Sequence, residues 1–256
     1  MENLSGKTAL VTGASRGIGA AIARHFAELG TKVVLLARDG KALSDLAADI
    51  GSLGGQALAM PGDVRRYADL EHAVAAAVQR FGRLDILVNN AGVIEPIARL
   101  ADSEPEAWGR IADINLKGVY HGLRAAIPQM LHTGSGVVVN ISSGAATSAL
   151  EGWSHYCSTK AAVLSLTACA AKEYGAHGIR VVGLSPGTVA TEMQAVIRKS
   201  GINPVSRLDP AVHIPPEWVA RAVAFLCSEQ GEEFAGTDFS LKDNAGRARV
   251  GLPLIV

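Results

Sequence analysis

The stretch that decides the fold runs from Thr8 to His25: TALVT, then GASRGIG, then AAIARH. An apolar run of strand length stops at Gly13 and gives way, within one turn, to small and apolar residues at helical spacing. Gly13 permits a sharp strand-to-helix turn. Gly17 and Gly19 let another group approach the backbone and let the helix pack closely on the strand. Free N–H groups in the first turn of such a helix face a phosphate well. Gly13, Ser15, Arg16, Gly17, Ile18 and Gly19 are therefore expected to cradle a pyrophosphate. The spacing is Gly-x3-Gly-x-Gly.

Outward from this turn the same unit repeats. Strands are expected at residues 8–12, 32–37, 56–61, 84–89, 136–142, 180–185 and 237–241. Helices are expected at residues 17–29, 40–52, 67–81, 105–131, 154–176 and 216–229. Several strands, such as VVLLA and GVVVNIS, are apolar without alternation, which implies that both faces are covered. Leu70, Val74, Ala77, Val78 and Phe81 form one helical stripe. Strand and helix in alternation predict right-handed crossovers and an α/β, doubly wound parallel sheet of about seven strands, the Rossmann type. A single domain is expected over residues 1–256, with a lid near residues 191–216; within it residues 200–216, with Pro204, Pro210, Pro215 and Pro216, lack clear periodicity and read as a loop over the carboxyl ends of the strands.

Composition narrows the function. Lys plus Arg and Asp plus Glu both number 24, which argues against a general grip on nucleic acid or on an anionic membrane. Mean hydropathy is +0.22 and apolar residues make up 48%, so a packed core is expected rather than disorder. No apolar run of spanning length and no signal pattern occurs. Cys157, Cys169 and Cys227 offer no metal-ligand spacing, so no metal is expected. Cytoplasmic placement follows as the default expectation.

Tyr156 and Lys160 lie four residues apart, on one face of an expected helix. A free tyrosine, with a pKa of about 10, is a poor acid–base partner at neutral pH. A nearby ammonium favours the phenolate and lowers that pKa. Ser143 closes the strand GVVVNIS, thirteen residues before Tyr156, where open α/β sheets place their ligands. Its hydroxyl suits a substrate oxygen. His155, one position before Tyr156, is expected at the surface or the substrate rim.

Together these residues resemble the short-chain dehydrogenase/reductase family, its 3-oxoacyl-thioester reductase-like members included, over nearly the whole chain. Thr12-Gly13-x3-Gly17-x-Gly19 resembles its cofactor turn. Asp63-Val64 is similar to its adenine-contacting pair, and Asn89-Asn90-Ala91-Gly92 to its fourth-strand motif. Asn115, Ser143, Tyr156 and Lys160 resemble its catalytic tetrad, Ser143 fitting better than Ser142. Pro186, Gly187, Val189 and Thr191 fall in a segment similar to the loop that closes over the nicotinamide. Two places depart from the pattern. Lys242-Asp243-Asn244-Ala245-Gly246 stands where the family has a short Asp-Gly-Gly close, and the lid after Thr191 is short.

The resemblance implies a nicotinamide-dependent enzyme that interconverts a carbonyl and a secondary alcohol, with Tyr156 as proton donor or acceptor. Lys160 would lower the Tyr156 pKa and contact the nicotinamide ribose, and Asn115 would help hold a water linking Lys160 to solvent. A nucleotide-binding regulator without turnover has no need of the tetrad. An epimerase usually needs a sizeable C-terminal domain, and about 65 residues follow Thr191. The expected coenzyme is NADP(H): the second strand ends at Ala37 without a carboxylate, and Arg38 and Arg16 suit a 2′-phosphate. An NAD-dependent alcohol dehydrogenase is the alternative, in which Asp39 grips the ribose. A homotetramer is expected from the small and apolar residues on the helices over 105–131 and 154–176. Met193, Val196 and Ile197 suggest an apolar substrate wall, and Arg198, Lys199 and Arg207 a contact with an anionic carrier.

Overall fold

The continuously apolar runs all become strands of one sheet in the computed structural model, which describes residues 3–255. They are β1 (Thr8–Thr12), β2 (Lys32–Ala37), β3 (Ala57–Pro61), β4 (Ile86–Asn89), β5 (Gly136–Ile141), β6 (Ile179–Ser185) and β7 (Asp238–Ser240). All pair in parallel, in the order β3-β2-β1-β4-β5-β6-β7. The chain winds outward from β1 to β3, returns beside β1 as β4, and winds the other way. The switch point, where such sheets open a crevice, therefore lies between β1 and β4.

Side-chain alternation splits each strand between two cores. Ala9 and Val11 of β1 pack with α1 (Gly17–Glu28), α2 (Gly40–Ser52) and α8 (Pro216–Cys227), through Phe26, Leu43 and Val223. Leu10 faces α3 (Tyr67–Phe81), α5 (Gly118–Thr133) and α6 (Ser154–Tyr174), through Leu70, Leu123 and Val163. Full burial of each such side chain contributes about 1.5–3 kcal/mol. A buried ladder of amides ties the second layer to the sheet. Asn89 Nδ2 donates to Asn140 Oδ1 and Asn140 Nδ2 to Thr167 Oγ1, both at 2.9 Å.

The helix expected over residues 105–131 is broken. α4 (Pro105–Ala112) passes through a π-turn at Asp113–Lys117 into α5. Asn115 is the cause: its Nδ2 donates to Val93 O at 2.8 Å and its Oδ1 accepts from Val93 N at 2.9 Å, so the turn is bound to the loop after β4. A single widened turn of this kind is frequent at functional sites. The expected lid over residues 191–216 begins with a helix, α7 (Glu192–Ser200). Two short turns follow, at Pro204–Arg207 and Pro210–Val212.

The C-terminal stretch also acquires a place. β7 is short, and α9 (Asn244–Arg249) follows it. Asn244 then pins the tail, donating to Ile255 O at 3.1 Å and accepting from Ile255 N at 2.6 Å. No helix among the described residues is long and apolar enough to cross a membrane.

Candidate active site

The carboxyl ends of β1, β2, β4, β5 and β6 open into one cleft of about 1920 Å³. Gly13, Ser15, Arg16, Gly17 and Ile18 line it, with Arg38, Asp63, Val64, Asn90, Ala91 and Gly92. Ser143, Tyr156, Lys160, Pro186, Gly187, Val189 and Thr191 line it as well. Gly19 and Asn115 do not line it. Gly19 serves packing: a Cβ there would lie 2.3 Å from Gly13 O. Asn115 spends both side-chain polar atoms on Val93.

The glycine turn is fixed from outside. Thr12 Oγ1 accepts from the backbone N–H groups of Asn90 and Ala91 at 3.0 and 3.1 Å. Asn90 Nδ2 donates to Thr12 O and Gly13 O at 2.9 and 3.2 Å. Gly13 and Gly17 have positive φ, +65° and +55°, where an L side chain is strained. The N-terminus of α1 has neither a side-chain cap nor an acidic residue in its first turn. Its N–H groups stay open toward the cleft, the pattern that receives a phosphate. These residues fit a dinucleotide pyrophosphate.

Asp39 also lines the cleft, but one of its carboxylate oxygens is engaged by the backbone. Its Oδ1 accepts from Ala42 N at 3.0 Å and caps α2. Arg16 forms an ion pair with Glu192 at the start of α7. The two arginines expected to converge are thus unequal: Arg38 is in no ion pair among the described residues, whereas Arg16 spans to α7. Arg38 lies near enough to Asp63 to help hold its carboxyl below the usual range, after the larger effect of the Arg65 hydrogen bond.

The reacting centre gathers on β5 and α6. Tyr156 is buried, with Trp153 edge-on at a ring separation of 5.7 Å. Lys160 is also buried; its Nζ donates to Ile141 O at 2.7 Å and lies 5.6 Å from the centre of the Tyr156 ring. Lys160 is expected to lower the Tyr156 pKa. Burial pushes that pKa up, and the neighbour that opposes the rise is the Ser143 hydroxyl. The ammonium is held by a β5 carbonyl with the Tyr156 ring beside it. Burial therefore favours the neutral phenol of Tyr156. His155 corrects an expectation. It is 2% exposed, inside the protein, and neither ring nitrogen finds a hydrogen-bond partner.

Two groups have no signal in the sequence spacing. Ser142 turns away from the cleft's centre, and its Oγ donates to Asp238 Oδ1 at 2.6 Å. Asp238 reaches β5 across β6 because Gly183 leaves the space: a Cβ there would meet Asp238 Oδ1 at 2.5 Å. Burial pushes the Asp238 carboxyl up, partly offset by the Ser142 bond and the Lys160 charge. Burial lowers the Lys160 pKa to about 8, and Asp238 opposes that fall. Lys160 thus loses its proton as pH rises through about 8. Asp238→Asn keeps an acceptor for Ser142 but removes the charge that favours the ammonium. The alkaline limb of the reductive rate should move to lower pH in this variant. A pH profile of kcat/KM checks it, and an unmoved limb contradicts it.

Met193, Val196 and Ile197 of α7 line the cleft with Leu150 and Trp153, an apolar wall as expected. Arg198, Lys199 and Arg207 do not line it. Lys242 does, beside Gly187 and Gly144.

A glycine turn at the switch point, with buried Tyr156 and Lys160 and half-buried Ser143 beside it, forms a site suited to a dinucleotide-dependent oxidoreductase. The comparisons name the family. The model for short chain dehydrogenase matches residues 7–201. The chain belongs to the short-chain dehydrogenase/reductase family, whose members use NAD(P)(H). It is 34% identical to the 2,5-dichloro-2,5-cyclohexadiene-1,4-diol dehydrogenase LinX of Sphingobium indicum, over 94% of this chain and 96% of that protein. A short-chain type dehydrogenase/reductase from Mycobacterium marinum superposes with a TM-score of 0.86 at 32% identity, covering 93% of this chain and 95% of its own. The 3-ketoacyl-(acyl-carrier-protein) reductase of Brucella melitensis, solved with NADH, gives 0.83 at 35%, covering 93% and 97%. The protein is an oxidoreductase that resembles the 3-oxoacyl reductases of this family.

Proposed function

We propose that this protein reduces a ketone or other carbonyl to a secondary alcohol, or runs the reverse, with NADP(H) as its preferred coenzyme. The observation that carries the reading is the shared cleft. A phosphate-ready glycine turn and a buried tyrosine beside Ser143 and Lys160 line one space. The dinucleotide, when bound, supplies or accepts the hydride. Ser143 holds the substrate oxygen, and Tyr156 gives that oxygen its proton. Lys160 replaces the proton on Tyr156 and meets the nicotinamide ribose. The π-turn at Asn115 keeps the loop after β4 against this centre. Pro186, Gly187, Val189 and Thr191 seat the nicotinamide, Asp63 and Val64 the adenine, and the segment over residues 191–216 acts as the substrate lid.

The coenzyme preference rests on Arg38, exposed at the end of β2 beside Ala37, while the Asp39 carboxylate is engaged in capping α2. An unpaired guanidinium suits a 2′-phosphate through charge-assisted bonds. Catalytic efficiency with NADPH should exceed that with NADH, and Arg38→Ala should cost NADPH about tenfold or more. A preference of the wild type for NADH, or no loss in Arg38→Ala, would overturn the assignment. Reduction of a panel of ketones, followed at the nicotinamide absorbance, tests the activity itself.

The same reading places the enzyme in the cytoplasm as a homotetramer. Ala161, Ala168 and Cys169 are exposed on α6, and Tyr120 and Leu131 on α5, apolar surface that a partner helix would cover. Light scattering at micromolar concentration should give four times the 26.5 kDa chain mass. The mass of one chain would contradict it.

A further inference from the structure

We infer that Lys242 is the recognition point for a carboxylate on the substrate, so that the natural substrates are oxo acids or hydroxy acids. This rests on the reductase reading above and adds a substrate class to it. Lys242 stands where the chain departs from the family's Asp-Gly-Gly close, at the exit of β7.

Its side chain lies across the carboxyl ends of β6 and β5. A Cβ on Gly187 would lie 3.3 Å from Lys242 Cγ, and a Cβ on Gly144 would lie 2.8 Å from Lys242 Nζ. Both residues are glycines, and neither blocks the path of the lysine stem. Gly144 follows Ser143 directly, and neighbouring Cα atoms are about 3.8 Å apart. The ammonium therefore stands about one residue from the hydroxyl that holds the substrate oxygen. That distance suits a carboxylate a few bonds from the carbonyl.

The charge is uncompensated. Lys242 is in no ion pair among the described residues. The carboxylate next to it in sequence, Asp243, accepts from Gly246 N at 2.8 Å and caps α9. Asp238 is occupied by Ser142 and faces Lys160. Of the cleft's other cations, three are engaged and one is remote. Lys160 donates to Ile141 O, Arg16 pairs with Glu192, and Arg38 lies at the far, adenosine end. Arg247 donates to Leu241 O and Pro253 O and stacks on Trp218. Among the described residues, a substrate anion entering beside Ser143 finds Lys242 as the unpaired lysine or arginine at that end of the cleft, while Trp153, Met193 and Val196 hold its apolar part.

The test compares pyruvate and levulinate with their methyl esters. Wild type should prefer the acids. Lys242→Gln should raise KM for the acids about tenfold or more, the scale of a lost charged hydrogen bond, with most of the loss in KM rather than kcat. The acid-to-ester preference should collapse toward one, and Lys242→Arg should restore much of it. A preference for the esters in wild type, or an unchanged ratio in Lys242→Gln, would overturn the inference.

A second arm needs no turnover. Valerate should bind the enzyme–coenzyme complex more tightly than methyl valerate, and Lys242→Gln should abolish the difference. Equal binding of valerate by the two enzymes overturns the role of Lys242. Failure of the reductase reading would show separately, as no turnover of any carbonyl compound.

Discussion

Tyr156→Phe should lower reductive turnover by about two to four orders of magnitude, the usual contribution of a positioned acid or base. The substitution removes one oxygen and keeps the ring. Its edge contact with Trp153, at 5.7 Å, and its place against Lys160 survive. Coenzyme affinity should therefore persist, since the glycine turn is held by Thr12 and Asn90 and not by Tyr156. The loss should fall on kcat. Ser143 alone cannot replace the donor, because its oxygen already accepts from Ala145 N at 3.2 Å and its hydroxyl is far less acidic than a phenol. Steady-state rates with a coenzyme titration by fluorescence check both halves. Near-normal turnover would remove Tyr156 from the chemistry.

Lys160→Ala should harm binding and rate together. The wild-type ammonium is fully enclosed and donates to Ile141 O. Truncation leaves that carbonyl without its donor and leaves Asp238 without the opposite charge that offsets its burial. The Asp238 carboxyl should then bind its proton more readily. Removing the ammonium also removes the group that restores the proton to Tyr156 and meets the ribose. The dissociation constant for the coenzyme should rise about tenfold or more, and kcat should fall beside it. A folded variant with both values unchanged would contradict the role. Thermal unfolding in parallel separates loss of function from loss of fold.

Local pattern carried much of this structure. The strand over residues 8–12, the turn at Gly13 and the helix that follows depend on neighbours in sequence, and they lie where the pattern predicts. The same holds for β2, α2 and α3, whose bounds coincide with the expected ones. Period and punctuation suffice there because each element's apolar face is complete within itself.

Features that depend on residues far apart in sequence were not legible. The break at Asn115 arises from two bonds to Val93, twenty-two positions earlier, and no helical period registers them. Asp238 reaches Ser142 across Gly183, a relation between three strands. Spacing four apart correctly puts Tyr156 and Lys160 on one helix face. It does not show that the ammonium donates to the Ile141 carbonyl of β5. His155 was read outward for the same reason: its position on the helix was known, but not what packs around it.

The most direct test of the account is one assay. Wild type and Tyr156→Phe are incubated with NADPH or NADH and a panel of oxo compounds, and the nicotinamide absorbance is followed. The account predicts that wild type oxidises NADPH with at least one carbonyl compound, while Tyr156→Phe binds the coenzyme and is nearly inert. Coenzyme binding without turnover of any compound, or equal rates for the two proteins, would contradict it.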